Sequence, residues 1–157
     1  KQDSLSEVAQ DFVNYILSTE GQAVIEEEGY IPLSETTAFE GSQPSGDVRV
    51  SGSSSVSPVM EKLIEAYKAV NPNANIQLQE SDSTTGMNDA IEDRSDIGMA
   101  SRDLKDSELE SGLTGITIAT DGIAVIVNNE NPVEGLTSEQ IKQIFTGEVT
   151  TWESFVS

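Results

Sequence analysis

Short apolar segments alternate with amphipathic helical segments from Val48 onward, and this alternation constrains the fold more than any other feature of the chain. The strand-like segments are residues 48–50, 76–79 and 96–100, and apolar residues at helical spacing occupy the intervals 59–70 and 87–94. Strands joined by helices form right-handed crossovers and a mainly parallel sheet. We therefore predict an α/β fold, with a mostly parallel sheet and helices on both faces.

The remaining segments are less regular. We predict a helix near residues 5–18, a short second helix that ends at Gly29, a linker or surface loop at 34–47, β-rich runs at 116–119 and 123–127, and a last helix from Thr137 to Gly147. Phe145 and Trp152 are expected to pack in a core or between lobes rather than stack on a ligand. By length, one ordinary domain is expected.

The composition excludes several classes of function. The 28 acidic and 8 basic residues give a net charge of -20, which argues against nucleic acid or an anionic membrane surface as a partner and equally fits a solubility or salt-tolerance adaptation. The chain has no Cys and no His, which removes thiol nucleophiles, imidazole bases and Cys/His zinc sites. No apolar stretch approaches the roughly 20 residues of a membrane span. We expect a soluble chain from which any targeting segment has been removed.

Small polar residues follow each of the three strand-like segments, in the runs 53–57, 81–86 and 101–102. The carboxyl ends of parallel strands lie at one edge of a sheet, where ligands of such folds bind. Backbone N–H groups at helix starts and serine hydroxyls suit a small tetrahedral oxyanion. The alternative is that these residues only cap the helices that follow them.

The same runs resemble a known family. Val50-Ser-Gly-Ser-Ser-Ser-Val-Ser-Pro58, Asp82-Ser-Thr-Thr-Gly86, Asp96-Ile-Gly-Met-Ala-Ser-Arg102 and Asp121-Gly-Ile-Ala-Val-Ile-Val-Asn128 are similar to the phosphate-binding subunits of phosphate ABC importers. The resemblance implies one lobe of a type II periplasmic-binding-protein fold that binds inorganic phosphate without a cofactor and without catalysis. It also implies a membrane ABC permease as partner and a periplasmic, cell-surface or extracellular location.

The order of segments departs from that family. Residues 12–33 resemble the family's C-terminal end, yet here they come first, so the chain is expected to be circularly permuted. We expect a single lobe over 1–157, made of the permuted helical segment 1–33, the linker 34–47 and a first-lobe core at 48–157. The second lobe is missing from this chain, and a homo-oligomer is possible.

The resemblance also implies site residues. Phosphate contacts fall on Ser54, Ser55 and Ser83, and Ser101 lies near the position where some members place an aspartate that accepts the proton of hydrogen phosphate. Asp121 is the substitute candidate for that acceptor. Arg102 either binds phosphate through its guanidinium or pairs with Asp103 or another carboxylate.

Other functions stay open at this point. The lobe is alternatively a structural or docking module without a ligand, or a binder of sulfate or molybdate. An enzyme that uses Ser54 as nucleophile is disfavoured, because no His, and no Lys adjacent in sequence, can serve as its base. A lone lobe is expected to bind phosphate only weakly, at about millimolar concentration.

Overall fold

The computed structural model of the chain describes residues 1 and 5–156. Its helices are α1 (Glu7–Leu17), α2 (Thr19–Glu27), α3 (Ser57–Val70), α4 (Ser83–Ile91), α5 (Asp106–Glu110) and α6 (Ser138–Thr146), and its strands are β1 (Gly46–Ser53), β2 (Ala74–Ser81) and β3 (Ile97–Met99). A 3-10 helix spans Trp152–Phe155. Within the described residues, every helix is too short or too polar to cross a membrane.

The three strands form one parallel sheet in the order β2-β1-β3. β1 is central, and its register pairs Val50 with Leu78 on β2 and with Ile97 on β3. All three strands therefore end at the same edge of the sheet. The predicted strands and their parallel arrangement are confirmed.

Helices cover both faces of this sheet. Alternate side chains of β1 point to opposite faces, so each face packs against a different set of helices. Val48 and Val50 are buried in the main core, together with side chains of α1, α2 and α3. Ser51 faces the other side, where its hydroxyl donates to the carboxylate of Asp89 on α4. The predicted α/β class is confirmed.

Two glycines let α4 approach the sheet closely. A Cβ on Gly86 would lie only 2.5 Å from the Cα of Gly52 and 2.7 Å from the carbonyl oxygen of Ser51. Gly52 itself has a φ of 134°, a conformation that side chains other than hydrogen rarely allow. This contact fixes the start of α4 beside the end of β1.

The N-terminal helices pack directly on the strand and helix core. The Tyr67 hydroxyl on α3 donates to the Asp11 carboxylate on α1 over 2.6 Å and accepts from the Asn71 amide over 2.9 Å. Gln22 on α2 donates to the carbonyl of Ile118 and accepts from the N–H of Leu33. α1 and α2 are thus tied to the same body as β1.

The predicted linker is irregular but not loose. Residues 34–45 contain no helix or strand, as expected, whereas Gly46 and Asp47 of the predicted linker belong to β1. The Phe39 ring nevertheless packs edge-on against the Tyr15 ring, with 5.1 Å between centroids, and also contacts Tyr67. Pro44 accepts a hydrogen bond from the Asn71 amide. The segment therefore contributes to the core, which its turn-rich composition does not reveal.

The chain divides into two compact units, residues 1–122 and 123–157. In the second unit α6 ends at Gly147 in the left-handed conformation, as the sequence predicts. A cavity of about 270 Å³ in this unit is lined by apolar side chains, among them Val125, Ile141, Ile144, Phe145 and Trp152. The single-lobe organisation of 1–157 stays a prediction.

Two sequence expectations need correction here. The β-rich runs 116–119 and 123–127 form no strands, and only an isolated bridge joins Ile31 to Thr120. The run 123–127 lies in the second unit, where no strand is described for it to pair with, whereas 116–119 lies in the first unit and pairs with none of its three strands. Phe145 remains 77% exposed and Trp152 40% exposed, so neither is buried in a core of its own unit, and packing between lobes stays a prediction.

Candidate anion-binding site

Three serines meet at the edge where the strands end, and we call them the serine cluster: Ser53, Ser83 and Ser101. The hydroxyl of Ser53 donates to that of Ser101 over 3.1 Å, and the hydroxyls of Ser101 and Ser83 lie 3.3 Å apart. The Ser101 N–H also donates to the Ser83 hydroxyl over 3.2 Å. The loops that follow β1, β2 and β3 therefore converge, as their positions in the sequence predict.

The start of α3 beside this cluster has open donors. Its N-cap residue, Val56, has no side chain that can accept from the first turn. The Ser54 N–H is used, because it donates to the Ser81 carbonyl at the end of β2. The N–H groups of Ser55 and Ser57 have no hydrogen-bond acceptor within residues 5–156, and the side chains of Ser54 and Ser55 are exposed. The positive end of the α3 dipole is therefore available to an anion.

The start of α4 is arranged differently, since its own N-cap carboxylate occupies it. Asp82 accepts from the Thr85 hydroxyl over 2.6 Å and from the N–H groups of Thr84 and Thr85 over 2.9 and 3.0 Å. These hydrogen bonds, the Thr85 hydroxyl first, hold the pKa of Asp82 below its ordinary value. Ser83 keeps its N–H unused among the described residues. α4 thus offers less to a ligand than α3.

Arg102 is engaged by a buried carboxylate on α5. Its guanidinium donates twice to Glu108, over 2.8 and 2.9 Å, and once to the Thr84 hydroxyl over 3.3 Å. The hydrogen bonds from Arg102 lower the pKa of Glu108 to about 2, against the opposing effect of burial. Of the two sequence interpretations of Arg102, the structure has the carboxylate pairing. The partner is Glu108, whereas Asp103 accepts only through its carbonyl.

The other predicted site residues are placed less centrally. Ser55 accepts from the Tyr30 hydroxyl through its carbonyl over 3.2 Å. Asp121 is exposed and, within the described part of the chain, has no hydrogen bond or ion pair with the serine cluster. The sequence placed Ser53 at this edge but gave it no role, and its buried position at the end of β1 is visible only in the structure.

The chemistry of this edge favours a ligand that accepts hydrogen bonds. Its open donors are uncharged hydroxyls and amides, and the adjacent cation is already neutralised by Glu108. Across residues 1 and 5–156 there is no group of three or more potential metal-ligating side chains among His, Cys, Asp and Glu. A small oxyanion fits these donors better than a cation does.

Comparison with known proteins identifies the family. The model of the PBP superfamily domain matches residues 37–156. The chain belongs to the PBP superfamily. This PBP domain is 50% identical over 152 residues to the phosphate-binding protein PstS 2 of Streptococcus agalactiae serotype V, covering 97% of the chain and 52% of that protein.

Two solved structures resemble the PBP domain. A phosphate-binding protein of a phosphate ABC transporter from Streptococcus pneumoniae aligns with a TM-score of 0.85 and 41% identity, over 96% of this chain and 59% of the other. A putative phosphate ABC transporter substrate-binding protein from Clostridium perfringens, with bound phosphate, aligns with a TM-score of 0.55 and 47% identity, over 69% and 45%. The predicted resemblance is confirmed, and the chain spans about half the length of the curated relatives it matches.

Proposed function

We propose that this PBP domain supplies half of a phosphate-binding site in the solute-binding protein of a phosphate ABC importer. The observation that carries the proposal is the uncapped start of α3 beside the serine cluster. The relatives named as phosphate-binding proteins support phosphate as the oxyanion. Sulfate or molybdate binding is the alternative within the same chemistry.

In the proposed site, phosphate oxygens accept from the hydroxyls of Ser54 and Ser55, from the free N–H groups of the first turn of α3, and from Ser83. Ser101 holds Ser83 in place, since both its N–H and its hydroxyl lie within hydrogen-bond distance of the Ser83 hydroxyl. Arg102 acts through Glu108, holding the loop after β3 against α5, rather than touching phosphate. Asp121 as proton acceptor stays a prediction that no contact with the cluster supports.

Further parts of the transport system are proposed from the relatives. A second lobe would close over the open side of the site, exclude water and add donors, as hinged binding proteins do. A membrane ABC permease would receive the phosphate, which places the protein outside the cytoplasm. Binding and release without catalysis is the role that the names of the relatives support.

The permuted order of segments is also a proposal. The match to the Streptococcus agalactiae protein covers 97% of the chain, which is too much to leave out residues 1–33. The match to the Clostridium perfringens structure covers only 69%. This contrast supports a permutation shared with streptococcal relatives over an engineered rearrangement.

The test is an NMR titration of the 157-residue chain with inorganic phosphate. We expect the amide signals of Ser55, Ser57 and Ser83 to shift with a dissociation constant of about 1 mM, because a half-site lacks the donors of its partner lobe. Sulfate should produce smaller shifts. The paired substitution Ser54→Ala with Ser55→Ala should weaken binding about tenfold or more.

Ser107→Ala, an exposed serine on α5, is the matched control and should leave the titration unchanged. No shift with phosphate would refute phosphate binding by this chain. An equal response to sulfate would support the general oxyanion alternative. Micromolar affinity in a monomer would contradict the half-site.

A further inference from the structure

The serine cluster forms a line of hydrogen-bonded hydroxyls that begins in the interior at Ser53. Ser53 ends β1 and is 3% exposed, Ser83 is half-buried at the start of α4, and Ser101 is exposed between them in hydrogen-bond order. The line therefore links the central strand of the sheet to a residue of the proposed phosphate site.

The protons of this line can be counted. Each hydroxyl has one proton to donate and two lone pairs that accept. The Ser53 proton goes to the Ser101 oxygen, and one further proton lies in the hydrogen bond between Ser101 and Ser83. One hydroxyl proton of the three is left for a ligand.

The direction of the hydrogen bond between Ser101 and Ser83 decides which hydroxyl carries the proton that is left for a ligand. When Ser101 donates to Ser83, the Ser83 oxygen accepts both the O–H and the N–H of Ser101, so both of its lone pairs are filled. Ser83 then acts only as a donor. Its unused N–H is on the same residue, so Ser83 has two donors left for a ligand.

We propose that Ser53 and Ser101 are positioning residues that fix the Ser83 hydroxyl as a donor to phosphate. The inference rests on the proposed function and deepens it. Hydrogen bonds in a line polarise one another in the same direction, so a ligand oxygen at Ser83 stabilises the order Ser53 to Ser101 to Ser83. Such a site discriminates against ligand groups that donate, because Ser83 has no lone pair left for them.

The experiment is a double-mutant cycle in the full chain, with the inorganic phosphate dissociation constant measured by NMR. Ser83→Ala should weaken binding about tenfold or more, since it removes a hydrogen bond to a charged group. Ser53→Ala should weaken it about threefold through loss of polarisation and orientation. In the Ser83→Ala background, Ser53→Ala should have no further effect.

Ser51→Ala is the matched control, because Ser51 is a buried serine of the same strand whose hydroxyl donates to Asp89 and lies within hydrogen-bond distance of the Ser95 hydroxyl, away from the serine cluster. It should lower the melting temperature but leave the dissociation constant unchanged. If Ser53→Ala folds poorly, Ser101→Ala takes its place. Ser101 is at an exposed position that tolerates substitution, and its variant should show the same threefold loss of phosphate affinity.

The outcomes separate the two proposals. Additive losses in the double variant, or a Ser53→Ala effect confined to the melting temperature as in Ser51→Ala, would overturn the positioning role while phosphate binding stands. Absence of any phosphate response in the unmodified chain would overturn the proposed function and the positioning role together.

Discussion

At the residue scale, the pairing of Arg102 with Glu108 determines the charge next to the site. Glu108 accepts from both guanidinium nitrogens and also from the Lys105 N–H at the start of α5. The carboxylate is buried, yet each oxygen has a donor. The Arg102 guanidinium therefore stabilises the loop after β3, and the donors left for a ligand are neutral.

Glu108→Gln should destabilise the fold by about 1–3 kcal/mol at neutral pH, since it removes charged hydrogen bonds to Arg102. The pKa of Glu108 is about 2 in the fold and near 4.3 in unfolded chains. Its contribution is thus complete above the unfolded pKa and is lost as the pH falls from about 4.3 to 2. Urea denaturation at pH 7 and pH 3 should show a smaller acid-induced loss in the variant.

Glu110→Gln, an exposed residue of the same helix, serves as the control for Glu108→Gln and should behave like the unmodified chain. An equal acid-induced loss of stability in Glu108→Gln and the unmodified chain would contradict the role given to this carboxylate.

Single residues also show where sequence reasoning stops. Ser83 and Ser101 were predicted at the site edge because each follows a strand, and the parallel sheet brings them together. The role of Ser53 depends on which way the last side chain of β1 turns, which the loop composition does not specify. Glu108 lies six residues after Arg102, and only the folded path of α5 makes it the partner rather than Asp103.

At the element scale, α3 and α4 start side by side with opposite capping. The first turn of α3 has no side-chain cap, whereas the carboxylate of Asp82 caps α4. A helix start attracts negative charge, and a carboxylate already present competes with an incoming anion. The two starts therefore differ in their readiness for phosphate.

Asp82→Asn tests this difference. Asparagine caps helices about as well as aspartate, so the free energy of unfolding should change little. Phosphate should bind more tightly, because the repelling charge is gone. The dissociation constant from NMR titration checks this, with Glu61→Gln, an exposed charge on α3, as control. Weaker binding would instead indicate that Asp82 accepts the proton of hydrogen phosphate.

The union of α1 with α3 leads to a second prediction at this scale. Tyr67→Phe removes the donor to Asp11 and should lower the unfolding free energy by about 1–3 kcal/mol. Burial, followed by the hydrogen bond to Asp11, raises the pKa of Tyr67 to about 12. The neutral phenol is favoured in the fold, so its contribution exists below pH 10 and is lost as the pH rises towards 12. Denaturation at pH 7 and 11 should reveal a flatter response in the variant.

Tyr15→Phe is the control for Tyr67→Phe. Tyr15 belongs to the same aromatic cluster, and its hydroxyl has no hydrogen-bond partner among residues 5–156. Its substitution should cost less stability at neutral pH. A similar loss in both variants would assign the effect to the rings rather than to the bond with Asp11.

The elements that local pattern predicts are those whose partners are near in sequence. β1, β2 and β3 follow one another through helical crossovers, so the alternation of strand-like and helical segments was sufficient to predict them. The run 123–127 has the composition of a strand but no strand beside it in its unit, and composition alone cannot supply a neighbour. Phe39 packs on Tyr15 across 24 residues of chain, a contact that turn-forming neighbours obscure.

At the scale of the whole molecule, the net charge of -20 repels the proposed ligand from a distance. The Debye length shortens from about 30 Å at 0.01 M salt to about 8 Å at 0.15 M. Phosphate should therefore bind more tightly as sodium chloride rises through this range, the reverse of the behaviour of a basic anion site. Titrations at the two salt concentrations check this, and weaker binding at the higher one would indicate that a cation contacts phosphate.

The bare first turn of α3 has a consequence for the unloaded protein. A bound oxyanion would serve as a detachable cap, contributed by the solution instead of by the chain. The firmness of that turn then depends on how much phosphate is present, and hydrogen exchange of its amides should slow on loading. Phosphate occupancy would in this way determine how rigid the start of α3 is at the edge of the sheet.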